Sequence, residues 1–233
     1  AICYGRPMSA AIWLAGVLAM APAAKRGNDV LQRNRGVVYS LAAAPRLGVL
    51  FAGGAEVMGQ PVGYGAGLQF RVHALHLGPL RLGGELQLGH TRFLARRNVP
   101  HDVDGMERTV RRYATLNHTD FAAGPSLQLV TGPIFWEAGF GAGLGISSFV
   151  RPLGAFNHEE EQVSDVTAMI RGGGHLGIPI RNNHGVYLGA AVHKYFSRLQ
   201  IVAHPERGLA DQQPDNNPFD LMLELHLGYH MMF

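Results

Sequence analysis

The chain has 233 residues, of which 47% are apolar and 16% are charged, with 31 glycines and a formal net charge of +3. This composition is too apolar for a disordered chain, and the charged fraction lies below the roughly 25% of an ordinary soluble domain. No run of like charge reaches five residues, which argues against a nucleic-acid-binding arm. Cys3 is the only cysteine, so no disulfide framework or cysteine-based zinc site is expected.

The first residues have the features of a secretory signal. Arg6 is followed by an apolar run from Ala10 to Ala21, and Ala21-Pro22-Ala23 forms an A-x-A-like cleavage site. The run is shorter than the roughly 20 residues that a transmembrane helix needs. We expect residues 1–24 to comprise the signal peptide and upstream residues, and residues 25–45 to form a periplasmic lead-in. A buried N-terminal helix or an uncleaved anchor is the alternative interpretation.

From residue 46 onward, alternation of apolar and polar residues predicts eight β-strands. The last is the clearest, because Leu221 and every second residue up to Phe233 are apolar, while Glu224 and His226 fall on the opposite face. A helix would place these two polar residues against leucines, whereas a strand separates them. The expected strands cover residues 46–57, 61–78, 80–95, 111–130, 133–150, 163–180, 186–201 and 219–233.

Short and long connections alternate between these strands. Tight-turn sequences occur at Gly78-Pro79, Thr131-Gly132 and residues 181–185, and long connections at residues 96–110, 151–162 and 202–218. This asymmetry is typical of outer-membrane barrels, which have short periplasmic turns and long external loops. The first connection, Met58-Gly59-Gln60, is short where a long one is expected. A phase change at Ala74-Leu75 indicates a β-bulge.

The two faces of the expected strands differ in chemistry. One face is almost entirely aliphatic and aromatic, and the other carries most glycines and the charged residues. An eight-stranded barrel has room inside only for its own side chains, so the apolar face is expected to meet lipid and the polar face to fill the lumen. Lys194 is expected near the lipid phosphates. Interfacial girdles are expected from aromatic residues near strand ends, namely Trp136, Phe149, Phe196, Tyr229 and Phe233.

The C-terminal segment from His226 to Phe233 contains a polar residue, a glycine and alternating apolar residues that end on an aromatic. With the signal and the alternating segments, it resembles the small eight-stranded outer-membrane proteins, the group that contains the OmpA transmembrane domain, OmpX and the opacity-type proteins. The resemblance covers residues 46–233 as architecture. It implies an all-β, eight-stranded antiparallel up-and-down transmembrane β-barrel in the bacterial outer membrane. It also implies an assembly signal formed by Gly228, Tyr229, Met231 and Phe233.

The candidate functional residues are the charged and histidine side chains expected to face the lumen. Buried charges are tolerable only when they are paired and hydrogen-bonded, so these residues predict a static salt-bridge network that plugs the barrel. A gate in a narrow pore is the alternative. The predicted network consists of Arg71, Arg81, Glu85, Glu137, Arg171, His175, Glu224 and His226.

Two other chemistries have weaker signals. The histidines show no metal-binding spacing such as H-E-x-x-H, so no metal site and no cofactor are expected. His193 and Ser197 share one face of the seventh strand near the external rim. Their spacing of four and expected inward direction match poorly with an outer-leaflet lipid A deacylase.

The sequence therefore predicts a non-enzymatic, surface-exposed barrel for envelope integrity, adhesion or partner binding through its external loops. A narrow ion or small-solute channel is the first alternative, and a lipid A-modifying enzyme is the second. A soluble lipocalin-like binder would need an apolar interior. The expected partners are outer-membrane lipid and lipopolysaccharide, the outer-membrane assembly machinery and an extracellular partner, but no nucleic acid.

Overall fold

The computed structural model describes residues 36–51, 62–103, 106–131, 134–152, 160–181, 183–196 and 221–233. The expected signal peptide lies outside the described residues and stays a prediction. No helix within these ranges has the length and hydropathy needed to cross a bilayer.

The described residues form one closed, antiparallel β-barrel of eight strands, as predicted. Each strand pairs with the next along the chain, and the last pairs with the first. The strands are β1 (Val38–Leu50), β2 (Val62–Leu77), β3 (Leu80–Val103), β4 (Met106–Thr131), β5 (Ile134–Pro152), β6 (Glu160–Arg181), β7 (His184–Tyr195) and β8 (Leu221–Met232).

The strand register shows how strongly the strands tilt. Following register partners once around the barrel from Leu41 of β1 leads to Leu221 of β8. The Leu221 carbonyl accepts a hydrogen bond from the N–H of Phe51, ten residues beyond Leu41. A stagger of this size in eight strands corresponds to a tilt of about 40°. Residues in one register row therefore rise along the barrel axis from β1 to β8.

The expected start of the barrel at residue 46 is wrong. β1 begins at Val38, and its alternation of buried and exposed residues continues without a phase change through Pro45. Residues 38–45 of the expected lead-in thus form the first part of β1, and its residues 25–35 lie outside the described residues. Pro45 faces outward, and the paired residues between β1 and β8 pass from Ala43 to Arg46. Proline has no N–H to donate at such a break in the ladder.

Several strand ends also differ from prediction. β3 and β4 continue through most of the expected loop at 96–110, and β5 and β6 extend into the one at 151–162. β1 ends at Leu50 and β2 starts at Val62, and the expected first connection at Met58–Gln60 lies outside the described residues. The expected loop at 202–218 lies outside the described residues.

Two local predictions at the other end of β2 are confirmed. The β2–β3 register shifts between His73 and Leu75, where the bulge was expected. Gly78 has a φ of 65° in the turn to β3, a conformation that glycine adopts without steric cost. This turn lies at the same end as the start of β1 and the end of β8, and we call it the short-turn end. The opposite end is the long-connection end.

The outside of the barrel is an apolar wall. Outward residues such as Phe140, Leu144 and Leu227 are 56%, 53% and 61% exposed, whereas the polar residues between them on the strands are buried. An exposed apolar wall around a charged interior suits lipid, where closure of the barrel pairs every backbone group. The barrel is therefore of the membrane-spanning kind. Phe149 is an exception to the predicted girdle, because it lies on the inward phase of β5 and is buried.

Candidate functional site

The structure places all eight predicted network residues inside the barrel. Arg71, Arg81, Glu85, Glu137, Arg171, His175, Glu224 and His226 are each at most 6% exposed. Their inward direction follows from strand alternation, because each occupies the same phase as the buried residues of its strand. Strand pairing then sets which of them meet across the lumen.

The centre of the network is built around Arg71 of β2. Its Nε lies 3.2 Å from Oε2 of Glu85, and its Nη1 lies 2.9 Å from Oε2 of Glu137. Nη1 of Arg171 lies 2.9 Å from the other oxygen of Glu85. His175 contacts Glu137 through Nε2. Each of these carboxylates is thus shared by two basic side chains from different strands.

The network extends towards the short-turn end through an amide. Arg81 donates from Nη1 to Oε1 of Gln128 at 3.1 Å, and Gln128 donates from Nε2 to Oε1 of Glu137 at 2.5 Å. Arg81, which has no direct contact with the predicted acids, therefore joins the network through a residue that the prediction omitted.

The network extends towards the long-connection end through residues that the sequence prediction also missed. Glu224 accepts a hydrogen bond from Gln87 at 3.5 Å and pairs with Arg46 at 3.3 Å. Arg46 also pairs with Asp120 and donates from Nε to Thr91 at 2.6 Å. Alternation along β1 and β4 places Arg46 and Asp120 on the inward face, and this pattern could have identified both. The expected first strand began at residue 46, however, and alternation did not indicate which residue Arg46 would pair with.

Glu224 also contacts two histidines. Nε2 of His193 lies 2.9 Å from Oε2, and Nδ1 of His226 lies 3.0 Å from Oε1. No group of three or more His, Cys, Asp or Glu side chains that could hold a metal ion occurs among the described residues. The histidines thus act here as partners of a buried carboxylate.

The buried charges of the described residues balance. Four arginines, Arg46, Arg71, Arg81 and Arg171, stand against four acids, Glu85, Asp120, Glu137 and Glu224. A buried charge costs several kcal/mol unless it is paired, and here each acid contacts at least one basic side chain. Such an arrangement fills the middle of the lumen with paired charges.

Apolar clusters line the lumen on both sides of the network, which the alternation pattern did not predict. We call the cluster at the long-connection end the apolar cap; it consists of Leu50, Phe93, Leu116, Ala122, Phe149, Met169, Tyr195 and Met222. Towards the short-turn end lies a second cluster of Ala42, Ala44, Val130, Phe135 and Tyr187. The lumen therefore carries apolar side chains towards both ends, beside buried polar residues such as His73 at the short-turn end and His118 at the long-connection end.

The serine–histidine pair considered for deacylase chemistry is not brought together within the described residues. Ser197 lies outside them, and His193 points inward to Glu224. Two other serine–histidine contacts occur, Ser147 with His118 at 3.0 Å and Ser126 with His73 at 3.3 Å, and both are buried in the lumen. Neither faces the outer leaflet, where a lipid substrate would lie.

The residues of the expected assembly signal lie at the seam where the barrel closes. Tyr229, Met231 and Phe233 face outward, and Gly228 faces inward. A Cβ on Gly228 would lie 2.6 Å from the ring of Tyr187, so close packing requires glycine there. Phe233 exchanges backbone hydrogen bonds with Tyr39 of β1 at 2.8 and 3.2 Å. Their role in assembly stays a prediction.

Comparison with known proteins identifies similarity of fold only. No family model matches the chain, and no curated protein matches it. Ail, the attachment invasion locus protein of Yersinia pestis, in complex with the heparin analogue sucrose octasulfate, is 14% identical, with 85% of this chain and 99% of that chain covered and a TM-score of 0.48. A major outer membrane protein from Thermus thermophilus is 16% identical, with 85% and 100% covered and a TM-score of 0.49. The outer membrane protease OmpT from Escherichia coli is 9% identical, with 84% and 96% covered and a TM-score of 0.44.

Proposed function

We propose that this chain is a non-conducting outer-membrane barrel that displays a β-ribbon to a polyanionic partner outside the cell. The ribbon is the paired part of β3 and β4 from Leu94 to Val103 and from Met106 to Ala114. The extension of this ribbon beyond the neighbouring strands is the observation that carries the proposal.

The register shows how far the ribbon projects. On one side, the last β3 residue paired with β2 is Phe93. On the other side, the last β4 residue paired with β5 is Thr115. Beyond these two residues, β3 and β4 pair with each other up to Val103 and Met106, and with no other strand of the described residues. Within the part of the chain that the structure describes, the backbone groups along both edges of the ribbon are thus open to a partner.

The sequence of the ribbon gives it positive charge. Residues 94–114 contain five arginines against three acids. Four of the arginines fall on three consecutive register pairs at the base, Arg96 with Tyr113, Arg97 with Arg112 and Asn98 with Arg111. A concentration of guanidinium groups favours sulfate, phosphate or carboxylate groups of a polyanion.

The filling of the lumen favours a barrel that displays its ribbon over one that conducts ions. An ion would have to pass the apolar cap and a charge-balanced network whose arginines and acids are already paired with one another. An enzymatic role has less support, because the described serine–histidine pairs lie inside the barrel.

The experiment is heparin binding to the refolded full chain in nanodiscs, with heparin as the polyanionic probe. One variant replaces residues 97–112 with Asn-Gly, which closes the shortened hairpin with a two-residue turn at the Arg96–Tyr113 pair. A second variant is Arg97→Ala with Arg112→Ala. We expect either to lower affinity by about tenfold or more, because several ion pairs are lost.

Lys194→Ala is the matched control, because it removes a cation from the outward face of β7, far from the ribbon. Wild-type binding should weaken as ionic strength rises from about 0.05 to about 0.5 M. Unchanged heparin affinity in both ribbon variants, with folding shown by heat-modifiable gel mobility, would overturn the proposal.

A further inference from the structure

A row of polar side chains crosses the outer surface of the barrel from β2 to β6. Register pairing joins its members one after another: Tyr64 with Arg92, Arg92 with Asn117, Asn117 with Ser148, and Ser148 with Ser164. All five lie on the outward phase of their strands. We call this set the exterior polar row.

Strand tilt gives the exterior polar row a vertical order. Because register rows rise from β1 towards β8, Tyr64 lies nearest the membrane and Ser164 lies farthest from it. The apolar wall lies below, with Leu88, Phe121 and Leu144 exposed to lipid. From the membrane outward, the exposed side chains are therefore first apolar, then aromatic (Tyr64), cationic (Arg92), amide (Asn117) and hydroxyl (Ser148 and Ser164).

Two basic side chains, Arg92 and His90, lie next to each other at the lower part of the row. Arg92 is exposed and forms no ion pair with any carboxylate in the described part of the chain. Two residues below it, His90 is also exposed, and its Nδ1 lies 2.9 Å from the hydroxyl of Thr119. This contact leaves Nε2 as the ring nitrogen that can face a ligand.

Uncharged polar side chains continue the row above Arg92. Asn117 and Ser148 are half-buried, and Gln162 donates from Nε2 to the hydroxyl of Ser148 at 3.1 Å. Amide and hydroxyl groups on a flat sheet face suit ligands that both donate and accept hydrogen bonds, as sugar hydroxyls do. Among the outward side chains that the structure describes, none is a carboxylate that would repel an anion.

We propose that the exterior polar row binds lipopolysaccharide of the outer leaflet. Arg92 and His90 contact a phosphate of lipid A, the apolar wall below contacts its acyl chains, and Asn117, Ser148 and Ser164 contact its sugars. A phospholipid can make the phosphate and acyl-chain contacts, but it has no sugars to contact Asn117, Ser148 and Ser164. Basic side chains at the membrane surface bind anionic headgroups through charge-assisted hydrogen bonds. This binding is independent of the ribbon and of heparin.

The test measures binding of rough lipopolysaccharide to the refolded full chain in phosphatidylcholine nanodiscs, by native mass spectrometry. Arg92→Ala with His90→Ala should weaken binding by about tenfold, since two charge-assisted contacts are lost. Asn117→Ala with Ser148→Ala should weaken lipopolysaccharide by a few-fold and leave phosphatidylglycerol binding unchanged. Dephosphorylated lipid A should lose the dependence on Arg92.

His184→Ala is the control, since it removes an outward basic side chain at the short-turn end of β7, the opposite end of the barrel from the row. It should leave lipopolysaccharide affinity close to that of the wild-type chain. Equal affinity for phosphatidylglycerol and lipopolysaccharide in the wild-type chain would reduce the row to a non-specific cationic surface and overturn the proposal. An equal loss of binding in the control and in the Arg92 variant would also overturn it.

Discussion

Arg46 of β1 and Asp120 of β4 form an ion pair across the lumen, although their strands are not neighbours in the sheet. Both side chains are fully buried, and Nη1 of Arg46 lies 3.2 Å from Oδ1 of Asp120 while Nη2 contacts Oδ2. The guanidinium thus holds both carboxylate oxygens. A bidentate pair of this kind fixes the distance between β1 and β4.

We expect Asp120→Ala to destabilise the barrel by about 3–5 kcal/mol, because it leaves the buried Arg46 with only Glu224 as an acidic partner. Equilibrium unfolding in urea, with the chain refolded into lipid vesicles, measures the change. The double variant Arg46→Met with Asp120→Leu should lose less stability than Asp120→Ala, since it leaves no unpaired charge. If the loss of stability in the double variant equalled the sum of the losses in Arg46→Met and Asp120→Leu measured singly, the two residues would not be coupled.

Gly177 of β6 supports another contact inside the lumen. A Cβ at this position would overlap the ring of Phe135, which is fully buried and stacks on His230 with ring centroids 4.4 Å apart. We expect Gly177→Ala to cost about 1–3 kcal/mol, because the ring must leave its stacked position. Urea unfolding measures this cost.

The matched control for this substitution is Gly67→Ala, because the nearest atom to a Cβ there is 3.6 Å away. It should change stability by less than about 1 kcal/mol. Combining Gly177→Ala with Phe135→Leu should recover part of the loss. If Gly177→Ala and Gly67→Ala had equal effects, steric conflict with Phe135 would not be the cause.

Period-2 alternation was sufficient to predict the barrel because it reports which way each side chain points. It placed Arg71, Glu85 and Glu224 inside correctly, and a break in the alternation located the bulge between His73 and Leu75. The turn at Gly78 was also readable, since glycine and proline together mark a tight connection. These features depend only on neighbouring residues.

Pairing across the lumen depends on the tilt and stagger of the whole barrel, which the sequence pattern does not contain. Arg46 and Asp120 are 74 residues apart in sequence, and alternation alone cannot show that they meet. The apolar cap was missed for a related reason. Phe149 was assigned to the lipid face as an aromatic near a strand end, although its phase on β5 directs it inward.

The membrane orientation predicts how the exterior tolerates charge. Leu227 lies in the middle of the outward face of β8 and is 61% exposed. We expect Leu227→Arg to destabilise the chain in lipid vesicles by about 2–4 kcal/mol, the cost of a guanidinium near the bilayer midplane. Leu221→Arg, at the long-connection end of the same face, should cost no more than about 1 kcal/mol because its charge can reach the interface. Equal costs at both positions would contradict the assignment of this face to lipid.

The arrangement of the lumen predicts which substitutions open it. The wild-type chain in planar bilayers should show no conductance steps, and Glu85→Ala should also remain closed, because the apolar cap blocks the lumen in series with the network. Conductance should appear when Glu85→Ala is combined with Phe93→Ala and Phe149→Ala, which remove two fully buried rings from the cap. The matched control combines Glu85→Ala with Phe140→Ala and Leu144→Ala, two outward side chains, and it should stay closed. Conductance by Glu85→Ala alone would mean that the salt-bridge network, and not the apolar cap, is the barrier to ions. The interpretation of the barrel as a narrow channel would then be favoured.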